Sequence, residues 1–167
     1  MMTPKVLVSR MSGDSRVAQI PSRSTSKYAG QYARTIGSWR MAEIFTDSYK
    51  IALSSKNPDT ASDRFDLAVE AYYQFMDMES SVEARAAMQQ AMEELVELFP
   101  IQVVANEAMG LREKAKRLKT PQKRLDLFRS ASEIVDRGLT EHPSSSVLQK
   151  AATELRAEIF QSNPALQ

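Results

Sequence analysis

The chain contains no cysteine. Disulfides, thiolate metal sites, iron–sulfur clusters and a cysteine nucleophile are therefore excluded. There is one histidine, His142, which rules out a multi-histidine zinc site and leaves a histidine relay without support. Only five glycines occur, and none lie close enough together to cradle a phosphate. No apolar run approaches the roughly 18 residues needed to cross a bilayer, and Val6–Val8 is too short for the apolar part of a secretory signal. The expectation is a cytoplasmic protein with no membrane segment, no cofactor and no metal. What is present is 43% apolar and 26% charged over 167 residues, the composition of a soluble globular chain. A domain of about 150 residues buries about 70% of the surface its unfolded chain exposes, enough for a real core.

The formal charge of +1 conceals three regions of different sign. Residues 1–40 carry seven Lys/Arg against Asp14, residues 41–97 four bases against twelve acids, and residues 98–167 eleven bases against eight acids. The head is basic, the middle acidic and the end mildly basic. The ordinary reading of the head is a solvated tail; the functional one is an arm for nucleic acid or an acidic partner. Its Arg- and Ser-rich, acid-poor composition also suits a transit peptide, but residues 1–27 show no helical apolar stripe.

Residues 1–26 read as a disordered basic tail: Pro4, Gly13, Pro21 and seven Ser/Thr between positions 9 and 26 break any period. Beyond them, residues 27–163 read as a single all-helical domain. Good helix formers dominate, and no window alternates as a half-buried strand would. Stripes and stop signals predict six helices. The first spans 28–54 through Tyr32, Ile36, Trp39, Phe45, Tyr49 and Ala52. The second opens on a Thr60/Asp63 capping box and carries Phe65, Ala68, Tyr72 and Phe75. The third opens on a Ser80/Glu83 box and carries Ala84, Ala87, Met88, Ala91 and Leu95. Pro100 is expected to separate it from the fourth, because proline suits a first turn and pushes Phe99 out of helical geometry. The fourth carries Val104, Ala108, Leu111, Ala115 and Leu118. Thr120 and Pro121 open the fifth, striped by Leu125, Phe128, Ala131, Val135 and Leu139. A serine within 144–146 caps the sixth, striped by Leu148, Ala151, Leu155 and Ile159.

The helix starts near Thr60, Ser80, Pro100, Thr120 and Ser145 are almost evenly spaced, and the connections are short, so neighbours should be antiparallel. A two-helix unit every ~40 residues suits stacked helical hairpins or a bundle of similar units. Within residues 114–158, Leu118, Ala131 and Pro143 sit at a leucine, a helix-packing alanine and a closing proline. In this the stretch resembles a tetratricopeptide (TPR) repeat. Lys119, Gln122 and Gly138 depart from that pattern, and the ~40-residue period exceeds the ~34 of the family. Stacked TPR-like hairpins and a compact helical bundle both remain open. The resemblance implies a scaffold or peptide-binding module.

His142 precedes Pro143 in a turn and suits a helix C-terminus, where its charge favours the dipole. Asp59, Asp63, Asp66 and Glu70 complement the start of the second helix, and a hard-cation site is the weaker alternative. Residues 112–124 hold seven bases and one acid. Arg112, Lys116 and Lys119 share one face, and Lys123 and Arg124 begin the next helix, where positive charge opposes the dipole. These five are the candidates for anion or nucleic-acid contact, set against an ordinary helix C-terminus. Tyr28, Tyr32 and Trp39, with Arg34 and Arg40, form a basic-aromatic stretch that can stack on bases but more commonly anchors a core. Tyr72, Tyr73, Phe75 and Met76 cover more than one helix face, as in a helix that meets a partner. They are the candidate partner-binding residues. The sequence therefore predicts a non-enzymatic module that binds a protein or peptide partner, with self-association a further expectation. The alternative is nucleic-acid association through the head and residues 112–124.

Overall fold

The structure is a computed structural model describing residues 22–163 and Ala165, with side chains from Ile36 onward. Most of the basic tail, residues 1–21, lies outside the described residues. The chain is all-α: five helices and no strand occur among the described residues. They are α1 (Ser22–Ser54), α2 (Pro58–Met76), α3 (Val82–Arg117), α4 (Pro121–Glu141) and α5 (Ser146–Ser162). Helix α1 thus begins inside the stretch that the sequence assigns to the tail.

Five helices replace six because Pro100 lies inside α3. Proline there deletes one bond, to the carbonyl of Val96. Val96 is 52% exposed, so water can satisfy that carbonyl. Packing favours continuity: Leu95 is fully buried, Ala105 and Ala108 are buried, and Ile101 and Val104 pack on the same core. Phe99 stacks on Phe65, with ring centroids 4.4 Å apart. The local preference of the residue before proline is overridden by these contacts.

The helix starts follow cap chemistry, at positions slightly displaced from those expected. Asn57 Oδ1 accepts the amides of Asp59 and Thr60, so Asn57, not Thr60, opens α2. Ser81 Oγ accepts the amide of Ala84, so Ser81, not Ser80, opens α3. Ser145 Oγ accepts the amide of Leu148 at α5. Thr120 precedes α4 with no side-chain cap bond, and Pro121 occupies the first turn.

Packing gathers the described residues into two compact units. The first holds residues 22–47 and 67–92 among those described, the second 48–66 and 93–163. The first is built on Phe45, Ala68, Ala71, Phe75 and Met88, all buried. In the second, α4 and α5 pack against each other, and Phe128, Val135, Leu148 and Leu155 are each no more than 1% exposed. Each such side chain contributes about 1.5–3 kcal/mol of burial free energy. Gly138 is buried in α4: a Cβ there would meet Val104 Cγ1 at 2.8 Å and Leu148 Cδ1 at 3.2 Å. Gly138, one of the three departures from the TPR pattern, thus leaves room for Val104 of α3 and Leu148 of α5 against α4.

Candidate partner-binding groove

The first unit carries an open, mainly apolar groove of about 590 Å³. Helix α1 supplies Ser38, Trp39, Ala42, Phe45 and Thr46, which recur at i, i+1, i+4, i+7 and i+8 and so share one face. Helix α3 supplies Ala84, Ala87, Met88 and Ala91, at i, i+3, i+4 and i+7. The α2 end and the turn after it contribute Phe75 and Glu79–Ser81. Phe45, Phe75 and Met88 are buried, 3–7% exposed, and form the floor. Trp39, the only tryptophan, is 66% exposed. Ala84 and Ala87 are exposed. Their methyl groups are too small to fill the space above Met88, which is why a groove remains.

The four aromatic and apolar residues expected to meet a partner do not line one groove. Phe75 lies in the groove floor, whereas Tyr73 is 63% exposed. Tyr72 is half-buried and holds its ring edge-on to Tyr73, centroids 5.3 Å apart. Met76 is half-buried. Neither tyrosine nor Met76 lines the groove. The groove is also lined by Ala42, Thr46, Ala84, Ala87 and Ala91, which the sequence does not single out as partner-binding residues. Their stripes are visible in the sequence, but a stripe of small residues reads as core until a covering element fails to appear.

The basic junction lies in the second unit and is largely engaged internally. Arg112 reaches Glu154 Oε2 at 2.7 Å and donates through Nε and Nη2 to Glu158 Oε1 at 3.0 and 2.7 Å. Lys116 Nζ pairs with the same oxygen at 2.6 Å. Burial pushes the Glu158 carboxyl upward, but the hydrogen bonds and charges of Lys116 and Arg112 outweigh it and hold the group below its ordinary range. Arg124 donates to the Leu118 carbonyl, satisfying an orphan acceptor at the end of α3. Lys119 and Lys123 make no hydrogen bond or ion pair among the described residues and are exposed. Lys114, Lys116 and Arg117 occupy the last turn of α3, where they complement its dipole.

A second, more polar recess of about 570 Å³ surrounds Lys56, Glu107, Gly110, Glu113 and Arg117. It acts as a clasp. Lys56 pairs with Glu113, and that hydrogen bond is the main reason the Glu113 carboxyl lies below its ordinary range. Asn106 Nδ2 donates to the Leu53 carbonyl at 2.8 Å. Gly110 permits the approach, since a Cβ there would meet Lys56 Cβ at 3.1 Å. His142 is the C-cap of α4, its amide donating to the Gly138 carbonyl. Among the described residues, no group of three or more His, Asp or Glu side chains is placed to hold a metal, and no helix is long and apolar enough to cross a membrane. Comparison with protein-family models, curated proteins and solved structures finds no match to this chain.

Proposed function

We propose that the protein is a non-enzymatic, cytoplasmic interaction module whose first unit binds a protein partner through the groove between α1 and α3. One observation carries this reading: a groove floored by Phe45, Phe75 and Met88 with a solvent-exposed tryptophan on its lip. An exposed aromatic beside an apolar concavity is the arrangement of an interface anchor, because its burial by a partner removes a large apolar area from water. The helical-hairpin scaffold role implied by the TPR resemblance is compatible with this reading, through α4 and α5.

Nucleic-acid contact is the second reading, and the internal bonds of Arg112, Lys116 and Arg124 weaken it. A photo-crosslinking amino acid at Ala87, compared with one at Thr153 on α5, tests the first. A discrete protein adduct at Ala87 that is absent at Thr153 is expected. Equal labelling at both positions, or nucleic acid as the adduct, contradicts it.

A further inference from the structure

Building on the groove as a partner site, we propose that its occupant is a second copy of this chain, docked through the N-terminal half of its α1. The distribution of charge is the first reason. Over 22–47 and 67–92 the first unit holds six acids and five bases and is near neutral, and residues 1–21 add three bases and one acid. The signs are segregated. Residues 22–40 carry four bases (Arg23, Lys27, Arg34, Arg40) and no acid. Residues 41–47 and 67–92 carry all six acids and one base, Arg85, which donates to the carbonyls of Met76 and Met78. Acids also stand at the groove itself. Glu79 lines it, Glu83 lies one turn before Ala87 on the same face of α3, and Asp47 follows Thr46 on α1. A unit with a basic arm and an acidic groove complements a second copy of itself, with no large net charge to repel it.

The pattern of α1 is the second reason. Tyr28, Tyr32, Ile36 and Trp39 recur three or four apart along it, the spacing of one helix face. Positions 28–36 cover about 12 Å of axis, and the groove lining from Trp39 to Thr46 about 10 Å, at roughly 1.5 Å per residue. Helix continuity decides which copy supplies the arm. The arm and the groove wall belong to one 33-residue helix, so the arm cannot turn back onto a groove walled by its own C-terminal half. It docks in trans. Two antiparallel α1 helices with position 32 in register with Ala42 also bring position 28 into register with Thr46 and position 27, a lysine, with Asp47. All three registers share their midpoint at Gly37, which adds no side chain between the helices. A two-fold axis there makes the contact twice, arm to groove and groove to arm. Position 34 falls in register with Arg40, whose charge is offset by its own Glu43.

Sedimentation equilibrium of the full chain is expected to show a reversible dimer that loosens as salt rises. Trp39, the only tryptophan, is expected to shift its emission to the blue as the dimer forms. Trp39→Ala, at a 66% exposed position, and Ala87→Arg, also exposed, should each weaken the dimer at least about tenfold. Disulfide formation reads the register, since the chain has no cysteine of its own. Lys27→Cys and Asp47→Cys, mixed and oxidised, are expected to link. Either variant alone is not, because its two copies of one position stand about 30 Å apart along the paired helices. A chain that stays monomeric at every concentration overturns the second-copy inference. The groove reading then survives only if Ala87 crosslinks a different protein, and falls as well if Ala87 labels none. A dimer that yields no mixed disulfide, or that forms equally in Ala87→Arg, overturns the inference, because another surface then carries the contact. So does a red shift of Trp39 in the dilute chain on Lys5→Glu with Arg10→Glu and Arg16→Glu, which assigns the groove to the chain's own head.

Discussion

Ser81 Oγ holds the amide of Ala84, whereas the hydroxyls of Ser80 and Ser48 are buried with no hydrogen-bond partner. Ser81→Ala should cost about 1 kcal/mol, the usual value of a helix N-cap. Ser48→Ala, at a position only 1% exposed, should be neutral or stabilising, because it removes a desolvated hydroxyl that gains nothing. Urea denaturation of the two variants checks the contrast. Gly138→Ala sets helix propensity against space. Alanine gains about 1 kcal/mol in a helix interior, but its Cβ would sit 2.8 Å from Val104 Cγ1, on a branched side chain that is stiff at χ1. The clash should win, with a net loss of about 1–2 kcal/mol and a lower melting temperature. Arg112→Met strands Glu154, and leaves Glu158 with Lys116 alone; a loss of about 1–2 kcal/mol is expected, between exposed and buried pairs. The pH dependence follows from Glu158, whose folded pKa lies below its unfolded value. Its contribution is fully present above the unfolded carboxylate pKa and is lost as pH falls through the lowered folded value. The urea midpoint should therefore fall on acidification below about pH 4.5, and Glu158→Gln should flatten that fall.

The continuity of α3 depends on long-range contacts that outweigh the local rule for proline. Pro100→Ala restores a backbone bond within a 36-residue helix and should stabilise the protein by about 1–3 kcal/mol, read from denaturant midpoints. A chain that broke at Pro100 would instead gain nothing, or lose a fixed first turn. This element marks where sequence reasoning stopped. The starts of α4 and α5 were legible because Pro121 and the serines near 145 are local signals, and a local signal decides a helix start when nothing opposes it. Pro100 is equally local, but the burial of Leu95 and Ala108 on either side of it is not. The groove was half legible for a related reason. The apolar stripes through Trp39 and Phe45 and through Ala84, Ala87 and Met88 could be read from their period, but a period shows which face is apolar and not whether a neighbour covers it. Arg112 and Lys116 were legible as a basic face, while their partners Glu154 and Glu158 lie some forty residues further along, beyond any local pattern.

At the scale of the molecule, the near-zero net charge is a cancellation. The second unit is balanced, with Arg112 and Lys116 of its basic junction paired with its own Glu154 and Glu158, while the first unit, over 22–47 and 67–92, holds six acids and five bases and carries the open groove. The central claim is that this groove is open in the free chain and closes over a partner. Collisional quenching of Trp39 by acrylamide tests it most directly, because at 66% exposure the indole is the lip of the groove. The account predicts that the free chain is quenched nearly as efficiently as an exposed indole. It also predicts that a bound partner protects Trp39 and that Ala87→Arg abolishes the protection. A Trp39 already shielded in the free, dilute chain, or one whose quenching no protein partner alters, would contradict it.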